Sequence, residues 1–470
     1  MKQLSCIAMA LSLCTAFYAP SAACQTVDTI DSALRGRMDA VIPGILERTG
    51  VPSASVAVVE RGNVVYTHAY GLARIDPPIP ATTEMRYAVG SISKQFTAAA
   101  ILILRQQGKL SLDDPVSKYI PGLTRGNEVT IRELLSHTSG YSDFWPEDYV
   151  MPPMMRPETP QQILNTWAKA PLDFAPGTEW QYSNTNYVIA GQIVEKVSGE
   201  PLMQFLARHV FRPLGMKSVR DFDRSGLGPR DPTGYYRHAL GPLRPAPPEG
   251  PGWMSAAGEL AMTAHDLALW DVSMINETVL KPESYRQMFT EVKLKDGHGT
   301  SYGLGVQVLE RDGHRVIEHS GEVAGFVSDN EVLIDDGDAV AVLTNRIAAS
   351  AASSIAHAVA QILVGNRNRL SLSPPEQQAY EIYRGLQEGK IDRKLLSPNL
   401  NAYFTAQAID DFKTGLDPLG EPASFKLTHS EQRGGMTFRV FTITYPDRRL
   451  QLTTYTYPNG MLEQYLVAPE

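Results

Sequence analysis

Ser91 and Lys94 are the residues whose types and spacing most plainly could do chemistry. They stand three apart in Gly90-Ser-Ile-Ser-Lys-Gln-Phe96, a spacing that puts both on one face of a helix. From Ile92 to Leu104 the stretch is apolar on nearly every side, so the helix belongs in the middle of a domain. A lysine in its first turn loses water and faces the positive end of the helix dipole. Both effects favour the neutral amine, which can take a proton. The same dipole favours an anion, and the serine reads as an activated nucleophile. A capping serine beside a lysine that reaches out to solvent is the plainer alternative for this pair taken alone.

The surrounding pattern predicts what positions the pair. Asp28–Thr49 reads as a helix interrupted at Pro43, and Ser53–Glu60 with Val64–Tyr70 as a β-hairpin turning at Arg61-Gly62-Asn63. The buried helix should stop near Gln107-Gly108. Residues 113–270 read as mostly helical with long Pro/Gly loops, Thr130-x-x-Glu133 as a capping box and Thr263-x-x-Asp266 as a second one. The Gly/Pro-rich stretch 224–252 reads as a lid or cleft wall. Strand patterns return at Ser301–Leu309, Arg315–His319, Phe326–Ile334 and Ala339–Thr344, with a closing helix at Ala348–Val364. Strands from both ends of this region imply one antiparallel sheet, covered by the terminal helices and set beside an all-helical subdomain. The expected fold class is therefore α+β. Ser371–Glu376 is expected as a linker, leaving residues 24–370 as the main domain and 377–470 as a small accessory α+β domain with strands at 436–444, 450–457 and 461–467.

The chain has 470 residues, 43% hydrophobic and 20% charged, as in ordinary globular proteins, with a net charge of −8. The acidic balance, without a Lys/Arg run, argues against nucleic acid. Residues 1–23 have the layout of an export signal: Lys2, an apolar run from Leu4 to Tyr18, then Ser21-Ala22-Ala23. That run is short for a membrane span, and no other segment is long enough to be one. Cys24 would be the single cysteine left after cleavage, which excludes a disulfide within the mature chain. Cys24 offers a lipid anchor as an alternative to plain export, although Ser21 is a poor match for the apolar residue usual there. A periplasmic or secreted protein is expected. No His-Glu-x-x-His or paired-cysteine pattern suggests a metal, and no cofactor is expected.

With Ser91-x-x-Lys94 in place, the chain resembles the serine β-lactamase/penicillin-binding-protein superfamily, on the branch of class C β-lactamases, D-Ala-D-Ala carboxypeptidases and related esterases. Tyr182-Ser-Asn184 matches the second motif of that branch and His319-Ser-Gly321 the third. Leu134–Gly140, Ala175-Pro-Gly177, Phe211–Met216 and Tyr302–Gly305 resemble its flanking stretches, and the likeness covers roughly residues 30–365. It implies a β-lactamase/transpeptidase-like fold and an acyl-enzyme on Ser91, with either neutral Lys94 or Tyr182 phenolate as the base. Asn184 would hold the substrate amide or Lys94. The backbone N–H groups of Ser91 and Glu322 would form an oxyanion hole. Gly321 would let a substrate backbone approach. Histidine at 319 departs from the lysine of the better-known pattern and lacks its permanent cation. That favours a small-molecule or peptide substrate of ester, amide or D-amino-acid peptide type over a β-lactam. A β-lactamase and a non-catalytic cell-wall-peptide-binding module are the alternatives. Lys413-Thr-Gly415, Lys295-Asp-Gly297, Ser328-Asp-Asn330 and Tyr457-Pro-Asn459 imitate motifs but fall out of order or in the wrong elements. Gly299-Thr-Ser-Tyr-Gly303 lacks the strand-before, helix-after context of an α/β-hydrolase elbow.

Overall fold

The computed structural model describes residues 27–469 apart from Asp148, Ser371, Glu421, Ala423, Pro446 and Asp447. The export segment 1–23 and Cys24 lie outside the described residues. In chain order the strands are β1 (Ser53–Glu60), β2 (Asn63–Ile75), β3 (Pro78–Pro80), the short β4 (Tyr87–Ala88), β5 (Arg220–Asp221) and β6 (Leu260–Met262). Then follow β7 (Gln307–Arg311), β8 (His314–Val323), β9 (Phe326–Leu333) and β10 (Asp338–Thr344). The main helices are α1 (Ser32–Thr49), α2 (Ser93–Gln106), α3 (Ile131–Leu135), α4 (Asn184–Ser198), α5 (Ala264–Ile275) and α6 (Ala351–Leu370).

Seven strands form one antiparallel sheet in the order β3-β2-β1-β10-β9-β8-β7, so the first hairpin is closed by strands some 280 residues further on. β1 and β10 sit centrally and are buried on both faces, which is why their sequences run through small and β-branched residues without polar alternation. Ala54, Val56 and Val58 face a core shared with α1 and α6; Ala57 and Val59 face the larger core built around α2 and the helical half. Among the described residues, no helix is long and apolar enough to cross a membrane.

Several expectations shift. α1 runs unbroken through Pro43, because that residue is on the exposed face, where the carbonyl it frees can be hydrated. Strand β7 begins only at Gln307: Gly303 packs against the Met288 carbonyl, where a Cβ would come within 2.1 Å, and Gly305 takes φ +78°. The box at Thr263 is half formed. Thr263 Oγ1 accepts the Asp266 N–H, but the Asp266 carboxylate turns to the N–H and hydroxyl of Ser218, at 2.6 Å each.

The C-terminal region has its own core around Tyr383, Leu386, Phe441, Leu452 and Tyr465. It holds α7 (Pro374–Glu388), α8 (Ala406–Leu416) and a four-stranded antiparallel sheet, β11 (Ser424–Arg433), β12 (Met436–Thr444), β13 (Arg449–Thr456) and β14 (Leu462–Pro469). α7 begins inside the stretch expected as a linker, because Ser373 and Glu376 form a capping box with Pro374 at the first helical position. β11 escapes the sequence pattern because it is an edge strand, with exposed charged and polar residues from His429 to Arg433.

Candidate active site

β4 pairs with β6 and delivers Val89-Gly90-Ser91 into a single 3₁₀ turn that opens α2. Two glycines decide where this turn lies. A Cβ on Gly90, which has φ +52°, would sit 2.7 Å from the Glu322 nitrogen, and one on Gly321 would sit 1.9 Å from the Val89 carbonyl oxygen. The close approach expected at Gly321 is thus made by the chain's own Val89, whose carbonyl also accepts the Ser328 hydroxyl at 2.8 Å. β7 pairs with β8 only as far as Glu318, so the edge of β8 from His319 onward carries no strand on that side. The Glu322 N–H therefore lies beside the Ser91 turn, near where an oxyanion would form. The Glu322 carboxylate accepts the Ala348 N–H at 3.1 Å, fastening this end of β8 to the loop before α6.

Every residue of α2 from Ser93 to Leu104 is buried, Lys94 among them. The Lys94 Nζ has three neighbours: Ser91 Oγ at 2.9 Å, Asn184 Oδ1 at 2.7 Å and the Ala257 carbonyl at 2.9 Å. Two of these can only accept. A neutral amine has two protons and one lone pair; once it donates to Asn184 and Ala257, the lone pair is left for the Ser91 hydroxyl. Burial pushes the Lys94 amine down to about 7, with the nearby Asp143 carboxylate opposing the fall. The groove thus holds an amine that is substantially neutral at physiological pH and aimed at the serine.

Asn184 starts α4 and Tyr182 precedes it. Asp143 fixes this end: its carboxylate accepts the Asn184 N–H at 2.8 Å and the Asn184 side-chain amide at 3.3 Å. That turns the amide oxygen toward Lys94. Tyr182 lies with its ring centre 4.9 Å from the Lys94 Nζ. Burial, chiefly, pushes its phenol well above the ordinary range, so the phenolate is disfavoured. Its ring also packs on His137, 4.3 Å between centroids. His137, at φ +60°, accepts the Ser183 N–H on Nδ1 at 3.1 Å, and its carbonyl takes the Gln181 N–H at 3.0 Å. The stretch Leu134–Gly140 is therefore the cradle that aligns Tyr182 and Asn184.

His319 faces the cleft side of the sheet but is 3% exposed, so it is not a solvent-facing strand residue. Its Nδ1 lies 2.5 Å from the Ser320 carbonyl and must carry the ring proton; Nε2 lies 2.8 Å from the Tyr302 hydroxyl, which donates to it. Burial, with Lys94 nearby, pushes the imidazole down to about 3. His319 is a neutral wall of the groove with both nitrogens occupied, and as placed it offers no cation to a carboxylate.

The decoys separate in space. Lys413-Thr-Gly415 is in α8, with Lys413 donating to the Glu388 carbonyl at 3.4 Å. Ser328-Asp-Asn330 is buried within β9. Sequence reading missed Asp143, the Ala257 carbonyl and Tyr302 as the partner of His319. A lone aspartate and a backbone carbonyl leave no spacing signal; Tyr302 stood inside a recognised stretch, but its partner did not show.

Known proteins resemble this chain over much of its length. The profile of the family described as Beta-lactamase matches residues 31–363. Penicillin-binding protein 4* of Bacillus subtilis is 28% identical over 63% of this chain and 68% of its own length. The D-aminopeptidase of Brucella anthropi is 29% identical over 58% of this chain and 52% of its own, so the chain spans only about half to two thirds of such curated relatives. Among solved structures, a D-stereospecific amidohydrolase from Streptomyces sp. superposes with a TM-score of 0.60 at 28% identity, over 71% of this chain and 98% of that one.

Proposed function

Because the chain belongs to the Beta-lactamase family, of β-lactamase-fold serine hydrolases, we propose that it forms an acyl-enzyme on Ser91 and hydrolyses an ester, amide or peptide bond of D-amino-acid type. The observation that carries this reading is the Lys94 environment: two obligate acceptors and one hydroxyl around a buried amine. Lys94 takes the Ser91 proton as Oγ bonds to the substrate carbonyl carbon. The N–H groups of Ser91 and Glu322 hold the oxyanion. Collapse expels the amine or alcohol, which leaves with a proton relayed by Tyr182, and water then releases the acid. Of the two candidate bases, the direction of each shift favours Lys94 over Tyr182 phenolate.

Neutral, fully engaged His319 favours substrates without a carboxylate at that point, which sets β-lactams second. D-aminopeptidase and D-stereospecific amidohydrolase relatives point the same way. A binding module would gain nothing from a buried amine beside Ser91. Export through residues 1–23 belongs to the same proposal. The test is brief exposure to a D-alanine p-nitrophenyl ester, D-phenylalanine amide and a penicillin, read by product release and intact mass, with Ser91→Ala as control. Release from the D-amino-acid substrates, lost in the variant, supports the reading. Release that persists in Ser91→Ala overturns it, and fast penicillin turnover with inert D-substrates moves the assignment to a β-lactamase.

A further inference from the structure

A cleft of about 820 Å³ opens where the chain enters β4, lined by Arg74, Arg86, Lys217, Arg230 and the entrance of α5 at Thr263–Asp266. Nothing in the catalytic reading uses it. Four cations meet three carboxylates here, but the charges are not matched in space. Asp231, 3% exposed, is enclosed by the Arg86 N–H and guanidinium and by the Gly228 N–H, at 2.7–3.2 Å. Asp266, 5% exposed, is spent on the two Ser218 donors. The third carboxylate, Glu84, is exposed on the rim.

On the other side of the balance, Arg74 donates, among the described residues, only to the carbonyl oxygens of Pro229 and Asp231. Lys217 and Arg230 form no ion pair among the described residues. α5 is a twelve-residue helix whose first turn faces the same space, and the His265 Nδ1 there lies 3.6 Å from the Asp266 carboxylate. Three cations without an ion-pair partner among the described residues, beside a helix entrance, suit an oxyanion. The cleft has room for an organic part beside the oxyanion.

We propose that this cleft is a second binding site, for a phosphate monoester. Its floor is tied to the nucleophile, since Arg86 precedes β4 and Ser91 follows it by three residues.

The experiment is calorimetric titration of the full-length Ser91→Ala protein with inorganic phosphate and with phenyl phosphate, at constant ionic strength against chloride. Use of that variant keeps the outcome independent of the hydrolase reading. Saturable 1:1 binding, tighter for the monoester, is expected. Lys217→Ala with Arg230→Ala should weaken it at least about 10-fold, and Glu84→Gln should tighten it. All three positions are exposed, and an unchanged melting temperature will show that the fold is kept. Non-saturating heats, or equal affinity in the Lys217/Arg230 double variant, overturn the proposal.

Discussion

Lys94 and Arg311 are basic side chains on opposite sides of the same sheet, and they are treated in opposite ways. Arg311 on the α6 face bridges Glu318 at 2.7 Å and Glu331 at 2.8 Å, so its charge is answered. Asp329 beside them is buried, and burial holds its carboxyl well above the usual range, toward the neutral acid. Lys94 on the cleft side has no carboxylate in contact among the described residues; its hydrogen-bonding neighbours are an amide, a carbonyl and a hydroxyl. A buried ion that is fully paired is chemically inert. One that is under-compensated gives up its proton and becomes a base. One face of the sheet carries a structural ion cluster and the helix α2 on the other carries a reactive amine, and compensation distinguishes them.

The contrast can be broken from either side. The largest effect should come from the cleft: Ser91→Ala removes turnover, and Lys94→Met should lower kcat/KM by roughly 10³-fold or more. Lys94→Met should at the same time raise the melting temperature, because a buried amine that is costly to desolvate is replaced by an apolar side chain of similar volume. A variant that melts lower would show that Lys94 is compensated in a way the contacts do not reveal. Arg311→Met should behave the other way round. It leaves buried carboxylates unpaired and should cost about 2 kcal/mol in denaturant unfolding, less than the ~3–5 kcal/mol of a fully buried pair because Arg311 is 30% exposed. Its kcat/KM should stay within about twofold.

Two subtler tests sharpen the picture. His319 has a folded pKa near 3 against an ordinary 6.5, so the unfolded chain takes up this proton first as pH falls. Stability carried by neutral His319 is therefore whole above about 6.5 and drains as pH drops toward 3, at up to ~1.4 kcal/mol per pH unit. His319→Asn should flatten that slope in urea titrations. Asp143→Asn removes the anion that holds Lys94 up, so the acid limb of kcat/KM should move to lower pH. The accompanying loss of Asn184 orientation should cost about 10-fold at the plateau. A limb that moves upward would contradict the assigned sign.

The sequence made the sheet, the buried helix and the three motifs legible because each rests on local pattern: apolar runs, a hairpin turn, a serine and lysine on one helical face. The edge strand β11 was hidden by its charged surface, and α1 was read as broken because Pro43 is costly only where its lost hydrogen bond is buried. At the site, Ser91, Lys94, Tyr182 and Asn184 lie together, with the Glu322 nitrogen beside the Ser91 turn. His319 was expected as a substrate-binding residue without a permanent cation, and it spends its nitrogens on Tyr302 and Ser320. That pairing joins residues 17 apart across a turn, and no spacing rule reports it.

The claim that under-compensation makes Lys94 the base is tested most directly by the pH dependence of single-turnover acylation of Ser91 with an activated D-amino-acid ester. The account predicts a rate that rises with one apparent pKa near 7 and is flat from about pH 8 upward. A rate that keeps climbing toward pH 10 would mean an unshifted lysine or a Tyr182 phenolate, and would contradict it.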